Sequence, residues 1–394
     1  MQKQIPSSPK PSVGREERAS TQQSSSVRQS SVPAAVASQR HEVIKVAIDV
    51  HSKLFVASRQ LDNAAPQPPQ KFSREQLLKF IARQVGMAGR VVCCYEAGCF
   101  GYGLQRQITA LGAQCLVIAP QDWDERHKKV NTDRTDTHAM ALRLDRYVAG
   151  NSKALAVVRV PDEAQEVQRS RVRQRDQFLK DRNVWANRGK SLLTQYGLPA
   201  SWSWWKPGHW EQTQKAVREQ KPQHAQLLLQ ILKDFHDMLM AAWEKLAALT
   251  AEQENRQKQK KEHAKRLKGI GELSLAKIEA EIGDWKRFAN RRQVASYTGL
   301  CPGVSGTGGK FTNLSINRCG NRRLRSVLVE LAWLLPRYQP QYLPLLQWKK
   351  VLEGTNRSAR KKAIVALARR LAVDLWRIHT GQCTAQKLGL RLAA

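Results

Sequence analysis

The hydrophobic pattern changes its period near Pro161, and that change limits what the chain can build. Before it, apolar residues come in short runs rich in β-branched types. "EVIKVAIDVHSKLFVASRQL" reads as a buried strand followed by a second one, and "RVVCCYEAG" and "QCLVIAP" read as two more. Between the last two, "GYGLQRQITALGA" has helical spacing. Strand, hairpin, strand, helix, strand predicts an α/β sheet domain over residues 41–160. After Pro161 the apolar residues recur at intervals of three and four with charges between them. They do so through "DEAQEVQRSRVRQRDQFLKDRNVWANRGKSLLTQYG" and "HAQLLLQILKDFHDMLMAAWEKLAALTAEQENRQKQKKEHAKRLK". That spacing predicts an antiparallel helical pair or coiled-coil connector over 161–265. The interrupting "LPASWSWWKPGHW" reads as a tryptophan-rich turn plugging the helix junction, in preference to a base-stacking surface.

Charge narrows the partners. Lys and Arg number 66 against 33 Asp and Glu, a net charge of +33 spread over almost every segment. Such a field favours a polyanion, and nucleic acid is the commonest. A membrane surface is the rival, but no apolar stretch approaches the ~20 residues of a spanning helix. The N-terminus also lacks the apolar run of a secretory signal. The expected location is therefore the cytoplasm, with no membrane partner. Residues 1–40, rich in Ser, Gln, Pro and Arg, predict a disordered basic tail. Seven cysteines with no C-x-x-C pair read as free thiols in a reducing compartment, not as a zinc site.

Residues 266–394 read as a mainly helical second domain. In "LKGIGELSLAKIEAEIGD" the glycines of a G-h-G turn, Gly269 and Gly271, follow Lys268 and suggest a helix-hairpin-helix-like element. A helix C-cap followed by a new helix is the plainer alternative. "YTGLCPGVSGTGGKFTNLSINRCGNRRLRSVLVELAW" reads as a Gly/Ser/Thr-rich loop entering an arginine-studded helix start. Lys310, Arg318, Asn321, Arg322, Arg323 and Arg325 are its candidate nucleic-acid contacts. "NRSARKKAIVALARRLAVDLWRIHTG" predicts a basic amphipathic helix in the core of this domain.

Four acids stand out against the basic background. Asp49 sits inside the first apolar strand, where a carboxylate is costly unless it is paired or binds a cation. Glu96 ends "VVCCYE", and Asp133 and Asp136 open a helical pattern three residues apart, on one face of a turn. An aspartate just ahead of a periodic run also suits a helix N-cap. An acid in the first strand, another at a later strand end and more on a following helix match the metal-binding layout of ribonuclease H-type folds. There Mg²⁺ orients the attacking oxygen and neutralises phosphate charge.

"AIDVHSK", "YEAGCFGYGLQRQI", "TDRTDTHAMAL", "VPDEAQE" and "GLCPGVSGTGGKFTNLSINRCGNRRLRSVLVELAWLLPRYQP" resemble the successive motifs of the DEDD insertion-sequence transposases. That family includes the Piv-type DNA invertases and the bridge-RNA-guided recombinases. The likeness spans roughly residues 43–380. It implies a RuvC-like N-terminal domain, a coiled-coil connector and a C-terminal transposase domain supplying a nucleophilic serine. It further implies Mg²⁺ held by Asp49, Glu96, Asp133 and Asp136, DNA and a structured guide RNA as partners, a dimer or tetramer, and a bacterial, nucleoid-associated setting. The nucleophile departs from the family pattern. Counting back from Gly320 and Asn321 reaches Thr307, while Ser305 lies two residues upstream; register favours Thr307 and residue type favours Ser305. That departure keeps two rivals open: a catalytically degenerate DNA- or RNA-binding derivative, and a RuvC-like structure-specific nuclease working through its carboxylates alone.

Overall fold

A computed structural model describes residues 40–120, 132–260, 266–307 and 310–393; the tail expected over 1–40 lies outside these but for Arg40. The chain divides into two compact units, one ending at Val158 and the other beginning at Arg159.

The first unit is a mixed α/β layer. In chain order it contains β1 (His41–Val50), β2 (Phe55–Leu61), β3 (Gln70–Phe72), α1 (Arg74–Met87), β4 (Ala88–Glu96), α2 (Gly103–Ala110), β5 (Gln114–Ile118) and α3 (Asp133–Val148). The sheet order is β3-β2-β1-β4-β5. β2 is antiparallel to both β1 and β3, whereas β4 runs parallel to β1 and β5 parallel to β4. β1 is therefore central, which explains why Ile44 to Ile48 are buried without alternation. Ala47 of β1, Val92 and Cys94 of β4, and Leu116 and Ile118 of β5 pack against Met140, Ala141 and Leu144 of α3. Lys45 lies on the same side as Ala47. It is 3% exposed, and its Nζ donates to Asp145 Oδ1 of α3 at 2.5 Å and to Asp62 O at 2.8 Å. A buried ammonium with two fixed acceptors thus pins α3 across the sheet.

The periodic reading passed over β3 and α1. The signal for α1 is "SREQLLKFIARQ": Ser73 Oγ accepts from Gln76 N–H at 3.3 Å, while Gln76 Oε1 accepts from Ser73 N–H at 2.8 Å. This reciprocal cap precedes Leu77 and Ile81, which are fully buried one turn apart.

The second unit contains α4 (Glu163–Gln195), α5 (His209–Gln220), α6 (Ala225–Lys258), α7 (Glu272–Ile282), α8 (Arg291–Thr298), β6 (Pro302–Thr307), β7 (Lys310–Ile316), α9 (Arg322–Tyr338), α10 (Leu343–Glu353) and α11 (Arg357–His379). α4 and α6 lie antiparallel: Arg171 near the start of α4 pairs with Glu252 near the end of α6, and further along Trp185 meets Phe235 at 6.0 Å. The tryptophan-rich turn does plug their junction. Trp204 is 1% exposed, and its Nε1 donates to the Ala186 carbonyl at 2.9 Å. Its ring lies so close over Gly189 that any Cβ there would collide with it. α5, which follows the turn, was not expected. Helices α9 and α11 form the core of the C-terminal part through Leu324, Leu328, Leu331, Leu367 and Leu371.

The segment read as a loop after α8 is a β-hairpin instead. Ser305 pairs with Thr312, Gly306 with Phe311 and Thr307 with Lys310. The overlooked signal is G-G between two stretches carrying Val304, Leu314 and Ile316, a composition suited to a two-residue hairpin connection.

Candidate functional site

Strand register brings the first two acids together. Ile48 of β1 pairs with Tyr95 of parallel β4, so Asp49 and Glu96 are the next residues on adjacent strands, about 4.8 Å apart. Alternation puts both on the side of Ala47 and Cys94, which is the side α3 covers. Asp133 and Asp136 stand four residues before Thr137 and Met140, both buried, and so continue the sheet-facing stripe of α3 into its first turn. The helix starts there because of Thr132. Its hydroxyl accepts from Thr135 N–H at 3.3 Å, and Thr135 Oγ1 accepts from Thr132 N–H at 3.1 Å. Threonine rather than aspartate therefore caps α3. Asp133 and Asp136 are released from that duty, although both suit the positive end of the helix dipole.

Among the described residues, the ligand atoms that gather closely enough to share an ion form a smaller group than the four acids, and it contains a residue that sequence reasoning missed. One carboxylate oxygen each of Asp49 and Asp133 and a ring nitrogen of His51 all lie within 4.8 Å of one another. His51 Nε2 is 3.1 Å from Asp49 Oδ2 and 3.5 Å from Asp133 Oδ1. Its backbone is held by a turn in which His51 N–H donates to the Leu54 carbonyl at 3.1 Å. Only the D-x-H spacing in "IDVHSK" could have marked it. Glu96 and Asp136 are half-buried and lie outside this group, on the same face.

Electrostatics also set Asp49 apart. Burial is the largest influence and pushes its carboxyl above the ordinary aspartate value; His51 opposes this, and the Asp133 charge adds to it. Two acids held this close on a largely apolar sheet are an unfavourable arrangement that a cation would relieve. An oxygen-rich donor set of this kind suits a hard divalent ion.

Comparison with known proteins identifies the chain. The model of the transposase IS116/IS110/IS902 family matches residues 261–346. The candidate transposase y4qE of Sinorhizobium fredii is 31% identical over 314 residues, covering 73% of this chain and 75% of that protein. The chain belongs to the IS116/IS110/IS902 transposase family. The transposase for insertion sequence element IS1328 of Yersinia enterocolitica is 25% identical over 342 residues, covering 86% of this chain and 97% of that protein. The transposase for IS1111A of Coxiella burnetii is 25% identical over 308 residues, covering 75% and 79%.

In the second unit of this transposase, several candidate nucleic-acid contacts are taken up by internal partners. Asn321 caps α9 by accepting from Leu324 N–H at 3.0 Å, and its Nδ2 donates to Glu281 Oε2 at 2.8 Å. Glu281, which sequence reasoning also missed, is 2% exposed and receives a two-pronged Arg173 at 2.9 and 2.8 Å. Arg323 reaches Asp176 Oδ2 at 3.2 Å, and Arg325 donates to the carbonyls of Thr298 and Arg318. Gly269 has φ +89°, and a Cβ there would stand 2.7 Å from Tyr338, so both conformation and packing demand glycine. Lys268 N–H and C=O are engaged by Arg391 and Gln339, and Gly271 precedes α7 as its N-cap. Arg318, Arg322 and Ser305 are exposed. The side chains of Thr307 and Lys310 lie outside the described residues; their backbones form the last pair of the hairpin. Among the described residues no helix is long and apolar enough to cross a membrane.

Proposed function

We propose that this transposase cuts and rejoins DNA strands at a divalent-metal centre held by Asp49, Glu96, Asp133 and Asp136. The observation that carries this reading is the approach of Asp49, on the central strand, to Asp133, on the first turn of α3. The sheet order supports an RNase H/RuvC-like first unit, since three antiparallel strands followed by two parallel ones is the arrangement of that fold. When bound, Mg²⁺ would neutralise phosphate charge and raise the nucleophilicity of an attacking oxygen. The acids supply the ligands. The capped helix and the Lys45–Asp145 pin fix the position of Asp133 relative to Asp49.

The attacking group is a hydroxyl of the β6–β7 hairpin. A glycine-flanked ribbon allows close backbone approach to a phosphate, and Ser305 and Thr307 are each followed by glycine. Register with the family motif favours Thr307. Positive charge along the second unit supports DNA and a structured guide RNA as partners, and the family resemblance supports a dimer or tetramer built through the α4–α6 pair. A suicide DNA substrate tests the chemistry. A covalent adduct mapping to Thr307 is expected, and an adduct at Ser305 would reassign the nucleophile. Cleavage with no adduct would overturn covalent strand transfer in favour of a carboxylate-only nuclease.

A further inference from the structure

The His51 imidazole is placed as a ligand would be. Two donors at adjacent positions of an octahedral ion with bonds of about 2.1 Å stand about 3 Å apart. The separations from His51 Nε2, 3.1 Å to Asp49 and 3.5 Å to Asp133, have that scale. His51 Nε2 and Asp49 Oδ2 stand within hydrogen-bond distance of each other, yet the backbone structure around neither acid depends on the histidine. Asp49 lies within the backbone ladder of β1, and α3 is capped by Thr132 and Thr135. The His51 backbone is fixed by its turn to Leu54, immediately beyond β1, so the ring is presented from the same strand end as Asp49.

We propose that His51 is a nitrogen ligand of the metal centre, sharing one ion with Asp49 and Asp133. The proposal rests on the metal-centre reading above and adds a donor that the four-acid set lacks. Its consequence is chemical selectivity. A purely carboxylate site suits Mg²⁺ and Ca²⁺, whereas one imidazole shifts preference toward Mn²⁺ and Co²⁺, which accept nitrogen more readily. His51 therefore tunes which ion the transposase prefers.

The test uses the full chain loaded with Mn²⁺ and does not depend on DNA cleavage. Pulsed electron paramagnetic resonance should detect ¹⁴N coupling to bound Mn²⁺ in the wild type, and His51→Ala should abolish it. By titration, His51→Ala should weaken Mn²⁺ binding about tenfold and Mg²⁺ binding much less. Mn²⁺ that binds through the carboxylates without ¹⁴N coupling, or coupling that persists in His51→Ala, would overturn the ligand role and leave the four-acid reading standing. Binding of Mn²⁺ that is unchanged in Asp49→Ala would overturn both. The His51 side chain is 47% exposed, so the variant should keep the fold, and circular dichroism checks this.

Discussion

Asp49 was legible as a residue because a carboxylate inside "KVAIDV" contradicts its surroundings. His51 was not, since a histidine just past a strand end contradicts nothing until the fold brings Asp133 beside it. A raised carboxyl pKa makes a definite prediction. In the folded state the ionised form of Asp49 is disfavoured, so stability falls as pH rises from the ordinary value of about 3.9 through the raised one, and stays reduced above it. Asp49→Asn removes that cost. In chelator at neutral pH it should melt ~1–3 °C above wild type while gaining nothing from added Mg²⁺, as followed by calorimetry. Glu281 behaves oppositely. Burial would raise its carboxyl, but hydrogen bonds from Arg173 and Asn321, with the charges of Arg173 and Arg169, outweigh burial and hold it below the ordinary glutamate value. The stability it confers is complete above about pH 4.3 and is lost as pH falls through the lowered folded value. Glu281→Ala should cost roughly 2–4 kcal/mol at neutral pH in denaturant titrations, because Arg173 and Asn321 lose a buried partner. The difference from wild type should shrink in acid.

At the scale of elements, long periodic segments were legible and short or locally specified ones were not. The two long helices and the four apolar strands announce themselves by period, and the tryptophan plug was read from composition alone. α1 depended on a capping box, and the β6–β7 hairpin on a G-G pair within a stretch whose glycine content suggests a loop. The α4–α6 junction depends on Trp204 lying over Gly189. Trp204→Ala should destabilise the second unit by ~3–5 kcal/mol, and Gly189→Ala by ~1–3 kcal/mol through overpacking, both measurable by thermal melting. Gly189 cannot acquire a methyl group without moving the Trp204 ring.

For the whole molecule, the charge balance was readable from composition, but its division of labour was not. Part of the basic surplus is consumed internally, as Arg173, Arg323 and Arg325 show, and only a folded chain reveals which cations have acidic or carbonyl partners. The remainder still favours a polyanion. Affinity for nucleic acid should fall steeply with salt, with log K against log[salt] giving a slope equivalent to several neutralised phosphates. Arg322→Ala should weaken binding and reduce that slope by about one, whereas Arg323→Ala should act mainly on stability through Asp176. The central claim, that four acids of the first unit carry strand cleavage, is tested most directly on DNA bearing the element's own recombination junction, with Mg²⁺ and the guide RNA proposed above supplied. Asp49→Ala, Glu96→Ala, Asp133→Ala and Asp136→Ala should each retain the wild-type circular dichroism spectrum and lose cleavage by about 10³-fold or more. Cleavage by Asp49→Ala at the wild-type rate would contradict the account.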